Sequence, residues 1–398
     1  DPADLAWGPD GKLWIVEDND YPLGLDNKGI PCSRIRYLAV TANDGRYDRA
    51  TTFLENVSCP MGIMVWRQGV LVTAAPEIFY AEDTDGDGRA DVRQTLFAGF
   101  NPGNHQHRVN HPRWGPDNWV YLANGDSGGT IRSAKTGEVV NIGGRDLRVR
   151  PDEGLADPQT GQAQYGRNRN DWGDWFGCNN SNAGWHFAVA DHYLRRNPHV
   201  AAPPGRIDVT GSRECYPAGR VITHCFIPQP TPPEGSPGHW TSVAGVTIYR
   251  DDLFGPEFTG NLFVEDSVYN VIHRMILTPQ GTTFRGERAV DEQQSEFLAS
   301  ADPWFRPATL QTGPDGALWV ADMHRFVIEH PEWIVPELTA KLELRRHSDR
   351  GRIYRIYPVD KKPRPIPRLD KLDTAGLVAA LDHPNGWQRD MAQQMLVW

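Results

Sequence analysis

The feature that most constrains the fold is a degenerate repeat. "LAWGPDGKLWIVED" (5–18), "HPRWGPDNWVYLANGD" (111–126) and "LQTGPDGALWVADM" (310–323) share one plan: a Gly-Pro-Asp turn, a strand rich in Val, Leu, Trp or Tyr, then an acidic residue. Proline presets φ in the turn, and the Gly or Asn after the aspartate tolerates a left-handed backbone. Weaker copies are "MGIMVWRQGVLVTAA" (61–75), "RNDWGDWFGCNNSN" (169–182) and "VTIYRDDLFGPEFTGNLFVED" (246–266). Copies spaced about 50–75 residues apart match a β-propeller of four-stranded blades. The spacing predicts an all-β, six-bladed β-propeller over residues 1–358, with "GRIYRIYP" (351–358) as its last strand. A β-sandwich with chance turns is the alternative, and the regular spacing argues against it.

Beyond the ring the composition changes. "KKPRPIPR" (361–368) predicts a proline-rich linker over 359–370, and 371–398 reads as two short amphipathic helices broken at Pro384–Asn385–Gly386. Leu377, Val378 and Leu381 share one face of the first helix. This segment resembles the first unit of a HEAT-type helical repeat. Such a unit cannot bury its apolar face alone, so the chain is expected to be part of something longer.

A formal net charge of −10 disfavours a nucleic-acid partner. No apolar run reaches the length of a membrane span, and no signal peptide is visible at residue 1, although one would be removed on export. Five cysteines allow the local pairs Cys32–Cys59 and Cys215–Cys225 with Cys178 left over; reduced, buried thiols are the alternative.

"DTDGDGRAD" (83–91) places Asp83, Asp85, Asp87 and Asp91 at alternating positions around Gly88. Carboxylates so close repel one another unless a cation lies between them, and hard cations take several oxygen ligands. The loop predicts a calcium site built from these four residues. It is not an EF-hand, because Gln94 stands where the bidentate glutamate would be.

"GNHQHRVNH" (103–111) concentrates three of the chain's 13 histidines ahead of a strand. His107 and Asp126 flank the Gly-Pro-Asp turn, and an imidazole hydrogen-bonded to a carboxylate, which fixes its tautomer, is a good general base at neutral pH. His105 and His111 are expected to support it. Asn179, Asn180 and Asn182 suit an axial metal or sugar hydroxyls equally.

The pattern "NHQ…GPD…Y…GD" resembles the soluble quinoprotein glucose and sorbosone dehydrogenases. Over nearly the whole chain, "DTDGDGRAD", "HRVNHPRWGPDNWVYLANGDSGG", "NDWGDWFGCNNSN", "YLRRNPHV", "FTGNLFVEDSVYNVIHR", "FLASADPWFRP" and "IEHPEWI" resemble the membrane-bound dehydrogenase-like domain of planctomycetes and verrucomicrobia. The resemblance implies a sugar or alcohol dehydrogenase with His107 as base and Asp126 orienting it. It further implies pyrroloquinoline quinone and calcium as cofactors, and Arg108, Arg169, Asn170 and Arg306 around the quinone. An exported, periplasmic or secreted location follows, with a carbohydrate or alcohol substrate and a c-type haem domain or cytochrome as electron acceptor. One departure stands out: the family's quinone-facing lysine on the fifth blade has no counterpart, Val268 or Tyr269 standing in its place. A calcium-dependent hydrolase or lactonase and a non-catalytic glycan- or protein-binding propeller remain the alternatives.

Overall fold

The computed structural model describes residues 1–21, 30–42, 45–224, 232–233 and 235–398. It is a six-bladed β-propeller. Blade 1 is Pro2–Trp7, Leu13–Glu17, Ser33–Ala39 and Arg49–Val57. Blade 2 runs from Gly62–Trp66 outward through Gly69–Ala74 and Glu77–Glu82 to Val92–Phe100. Its edge is covered by Gly129–Ser133 and Val139–Asn141, a hairpin lent by the third blade's connection. Blade 3 comprises Asn110–Trp114, Val120–Ala123, Asp146–Arg150 and Leu155–Gln159. Blade 4 comprises Arg167–Arg169, Trp175–Asn179, Asn182–His186 and Ile207–Asp208. Blade 5 comprises Val243–Ile248, Leu262–Asp266, Val271–Gln280 and Thr283–Glu287. Blade 6 has three strands, Pro307–Thr312, Leu318–Asp322 and Arg352–Ile356, so "GRIYRIYP" supplies its outer edge.

The repeat has a local cause. In blades 1, 3 and 6 the aspartate of the Gly-Pro-Asp turn accepts a hydrogen bond from the backbone N–H two residues on, at Lys12, Trp119 and Ala317. The residue between takes a left-handed backbone: Gly11 at φ 75°, Asn118 at 63° and Gly316 at 90°. In blades 5 and 6 the acidic residue ending the second strand staples the loop ahead of the blade to the turn that follows that strand. Asp266 accepts from the N–H groups of Thr241, Ser242, Val268 and Tyr269, and Asp322 from those of Arg306 and His324.

The hydrophobic core is divided among the blade interfaces. Trp14, Phe53 and Val72 lie between blades 1 and 2, Trp66, Phe97 and Trp114 between 2 and 3, and Tyr121 and Trp175 between 3 and 4. Phe176, Val246 and Met275 fill blades 4–5, Tyr249, Phe263 and Leu310 blades 5–6, and Trp7 and Trp319 blades 6–1. The ring closes between continuous blades without strand exchange. Gln311 donates to Asp4 and Leu5, Arg325 pairs with Asp1 at 2.8 Å, and the Trp7 and Trp319 rings meet edge-on at 5.6 Å.

The expected linker and helices differ from the sequence reading in one respect: they dock on the propeller. Arg364 pairs with Asp251 at 2.8 Å, and Ile366 enters the blade 6–1 cluster. Helices Thr374–Ala380 and Gly386–Val397 start at Asp373 and Asn385, whose side chains cap Gly376 and Gln388. Leu377 turns inward, whereas Val378 and Leu381 are exposed. The second helix crosses the turn end of the axis. Gln388 donates to the Pro314 carbonyl, Gln393 to Pro116 and Asn118, and Trp398 packs on Trp66 at 5.6 Å. No helix among the described residues is long and apolar enough to cross a membrane.

Candidate active site

The axial channel is divided in two by a buried polar girdle. Asp4, fully buried on the innermost strand of blade 1, accepts from the Ile63 N–H, from Arg113 at 2.9 Å and from Gln311 at 3.1 Å. His111 is bonded to Asn110 and Thr309 at 3.0 Å each, and Tyr165 meets its ring edge-on. Burial outweighs the opposing charge of Asp4 and lowers the His111 pKa to about 4. His111 is therefore a neutral structural node. Toward the helical tail lies a cavity of about 110 Å³, closed by Trp387, Asp390, Met391 and Gln394. Toward the other end lies a cavity of about 400 Å³, and His105, His107, Gln164 and Asn180 are on its wall.

His107 is the most informative group in that wall. Gln164 Oε1 accepts from the Asn180 N–H at 3.1 Å, which turns its amide nitrogen the other way. That nitrogen donates to Asn180 Oδ1 and approaches His107 Nε2, both at 2.9 Å. An amide N–H₂ can only donate, so His107 Nε2 is the unprotonated acceptor and the neutral ring carries its proton on Nδ1. The base lone pair thus sits at the cavity wall. Asp126, in the left-handed region at φ 64°, is coupled to it by charge and not by a hydrogen bond. Burial lowers the His107 pKa while Asp126 raises it. Burial likewise raises Asp126, opposed by His107 and Arg206.

The remaining expected site residues scatter. Arg169 is on the other half of the axis, buried, and pairs with Asp390 of the tail at 2.8 Å. Asn170 bonds Asp174 at 2.7 Å within its own turn. Arg306 is fully buried and spends its guanidinium on the carbonyls of Ser267, Arg325 and Phe326. Arg108 is buried behind the wall and donates to the Pro102 carbonyl at 2.7 Å. The described lining therefore holds no arginine or lysine; its charged members are Asp18 and Glu329. Glu329 is held near pKa 2 because hydrogen bonds from His224 and Thr223 outweigh its burial. A polyanionic quinone would meet carboxylates here and no fixed cation. These residues do not fit it.

The acidic loop of blade 2 lies apart from the axis, on an exposed turn. Asp83, Asp85 and Asp87 bring carboxylate oxygens within 4.8 Å of one another, as a calcium site requires. Asp91 does not join them: its oxygens accept from Thr84, at 2.9 Å for the N–H. Gly88, at φ 92°, is required because a side-chain carbon would fall 2.8 Å from Tyr37 Oη. Cys32 and Cys59 form no disulfide with each other. The pair Cys215–Cys225 lies partly outside the described residues.

Gln164, Tyr165 and Asp18 were not singled out by sequence, and Cys59 was named only as a disulfide partner for Cys32. The visible signal for Asp18 was its place at the acidic end of the first repeat.

The Domain of unknown function DUF7133 matches residues 1–360. A search of curated proteins found no match. Among solved structures the chain is similar to a luciferin-regenerating enzyme (9% identity, TM-score 0.50, covering 92% of this chain and 94% of that one). It is also similar to an oxidoreductase described as a glucose dehydrogenase from Thermus thermophilus (17%, TM-score 0.47, 81% and 90%). A third is the PQQ-bound aldose sugar dehydrogenase of Streptomyces coelicolor (16%, TM-score 0.45, 82% and 88%). At these identities the likeness is one of fold.

Proposed function

The chain belongs to the DUF7133 family, and we propose that its axial cavity binds a neutral polyhydroxylated molecule, a sugar or related alcohol, from which His107 takes a hydroxyl proton. The observation that carries this reading is the hydrogen-bond chain from the Asn180 N–H through Gln164 to His107 Nε2. It presents an unprotonated imidazole nitrogen to a cavity with hydroxyl and amide partners at Ser242, Thr241, Tyr269 and Asn180. A substrate hydroxyl displaces the Gln164 amide from Nε2, and Asp126 stabilises the imidazolium that forms. Oxidation would also require an electron acceptor. The sequence resemblance implies pyrroloquinoline quinone, with a c-type haem domain or partner beyond it; the cavity lining does not fit that quinone, and no step here passes through it. The acidic lining supports a second reading, a hydrolase or lactonase in which His107 takes its proton from water and a cation held at carboxylates polarises the carbonyl.

The test is a paired screen on wild type and His107→Ala: dye-linked oxidation of sugars and alcohols with quinone and Ca²⁺ added, and opening of sugar lactones. Turnover in either arm that disappears in His107→Ala is the expected result. Turnover equal in both proteins refutes the base assignment. Saturable sugar binding by calorimetry without turnover leaves a binding propeller.

A further inference from the structure

A second group of side chains sits at the edge of the same cavity and plays no part in the proton transfer. Asp18, Asp20 and Cys59 are at most 4% exposed and bring ligand atoms within 4.8 Å of one another. His105 Nδ1 lies 3.3 Å from Cys59 Sγ. Adjacent sulfur and nitrogen ligands of a tetrahedral zinc-class ion stand about 3.5 Å apart, given bonds of about 2.3 and 2.0–2.1 Å. The four residues come from the loop after the second strand of blade 1, from the connection to blade 2 and from the connection to blade 3. The fold brings Asp18, Asp20 and Cys59 within ligand distance of one another and sets His105 against Cys59 alone, so a shift of the His105 side chain completes the set.

The second observation concerns charge. Asp18 and Asp20 are buried side by side, and among the described residues neither makes an ion pair. Asp20 is pinned by the N–H groups of Cys32 and Cys59 at 2.6 and 2.8 Å. Asp18 Oδ1 accepts from Ser33 at 3.1 Å, while its Oδ2 has no hydrogen-bond partner among the described residues and Asp18 lines the cavity. Buried carboxylates are otherwise paired or metal-bound. A reactive Cys–His nucleophile is the competing use of Cys59 and His105, but two carboxylates beside the sulfur oppose a thiolate unless a cation accompanies it. With a divalent ion, the two carboxylates, the thiolate and the nearby Arg108 sum to neutrality.

We propose that Asp18, Asp20, Cys59 and His105 form a site for one divalent transition ion of the zinc class at the cavity wall. The thiolate and imidazole select against calcium and magnesium, which prefer oxygen alone. Such an ion would anchor the loop carrying His107.

Cobalt is the probe. The chelator-treated chain should bind one Co²⁺ and show a thiolate-to-cobalt charge-transfer band. Cys59→Ser should abolish the band, and Asp18→Asn and His105→Ala should weaken binding at least about tenfold. Asp83→Asn with Asp85→Asn, on the distant acidic loop, should leave it unchanged. The proposal is overturned if the wild-type chain binds no cobalt in native mass spectrometry, if bound cobalt shows no charge-transfer band, or if the band survives Cys59→Ser. Should Cys59→Ser fail to fold, the milder Asp18→Asn decides: unchanged affinity there overturns the site.

Discussion

Replacing Asp390 tests whether the tail is part of the propeller. Its Oδ1 accepts from Arg169 at 2.8 Å and from Arg250 at 3.0 Å, and its Oδ2 from Arg250 at 2.6 Å. The Arg169 and Arg250 side chains are 4% and 11% exposed, that of Asp390 19%. Breaking a buried pair from one side costs about 3–5 kcal/mol, because the partner charge is left without compensation. The residual exposure of Asp390, and the Trp114 and Asn170 carbonyls that still hold Arg169, put Asp390→Asn at the low end, about 3 kcal/mol. Unfolding entropy of about 2.1 cal/mol/K per residue over 398 residues is about 0.8 kcal/mol/K, so Tm should fall by about 3–4 °C. If the tail's docking is worth less than this, the helices release first, and residues 371–398 become protease-sensitive while the propeller melts as before. Differential scanning calorimetry with limited proteolysis distinguishes the two. Arg169→Met with Asp390→Leu should recover only part of the loss, because Arg250 keeps Asp171 but loses both of its bonds to Asp390. The pH dependence has a fixed sign. Burial pushes the Asp390 pKa up, and Arg250 and Arg169 push it further down, so it ends below the ordinary value. Its stabilisation is present above about pH 3.9 and is lost as pH falls through the lower folded value. A Tm within 1 °C of wild type at neutral pH, with a protected tail, would refute this account of the interface.

Further outcomes follow from other residues. Given an activity, His107→Ala should lower kcat by about 10²–10⁴-fold, whereas Asp126→Asn should lower kcat with KM little changed. Burial holds the His107 pKa below the ordinary imidazole value while Asp126 raises it, so the acid limb of kcat/KM should lie below about pH 6.5. Asp126→Asn should move that limb lower still, and an upward shift in the pH profile would contradict the coupling. Calcium should raise the melting temperature of the wild-type chain; Asp83→Asn with Asp85→Asn should remove the increment and Asp91→Asn should not, because Asp91 bonds Thr84. Gly316→Ala, at φ 90° and with the added carbon 2.7 Å from Asp251 Oδ1, should destabilise by at least about 1 kcal/mol in chemical unfolding.

What the sequence determined by itself is whatever the chain decides locally. The Gly-Pro-Asp turns are legible because an aspartate bonds the backbone two residues on and the next residue needs a left-handed backbone. With weaker copies of the same turn-and-strand plan between them, at intervals of about 50–75 residues, these turns specify blades and their number. The place of His107 on the axis follows as well, because loops entering innermost strands line a propeller's channel. The same local logic misplaces Arg169. Its residue type and neighbours match a cofactor contact, yet which mouth of the channel it reaches depends on the direction of its strand and on a helix more than two hundred positions later. That helix brings Asp390 to it. Arg306 has a suitable identity, but carbonyls from three separate segments consume its donors. Cys59 and His105 lie in different connections, and no spacing rule links them. Tertiary structure decided these cases because burial energy is a property of converging segments: a charge or thiol acquires its role from whatever the fold sets against it.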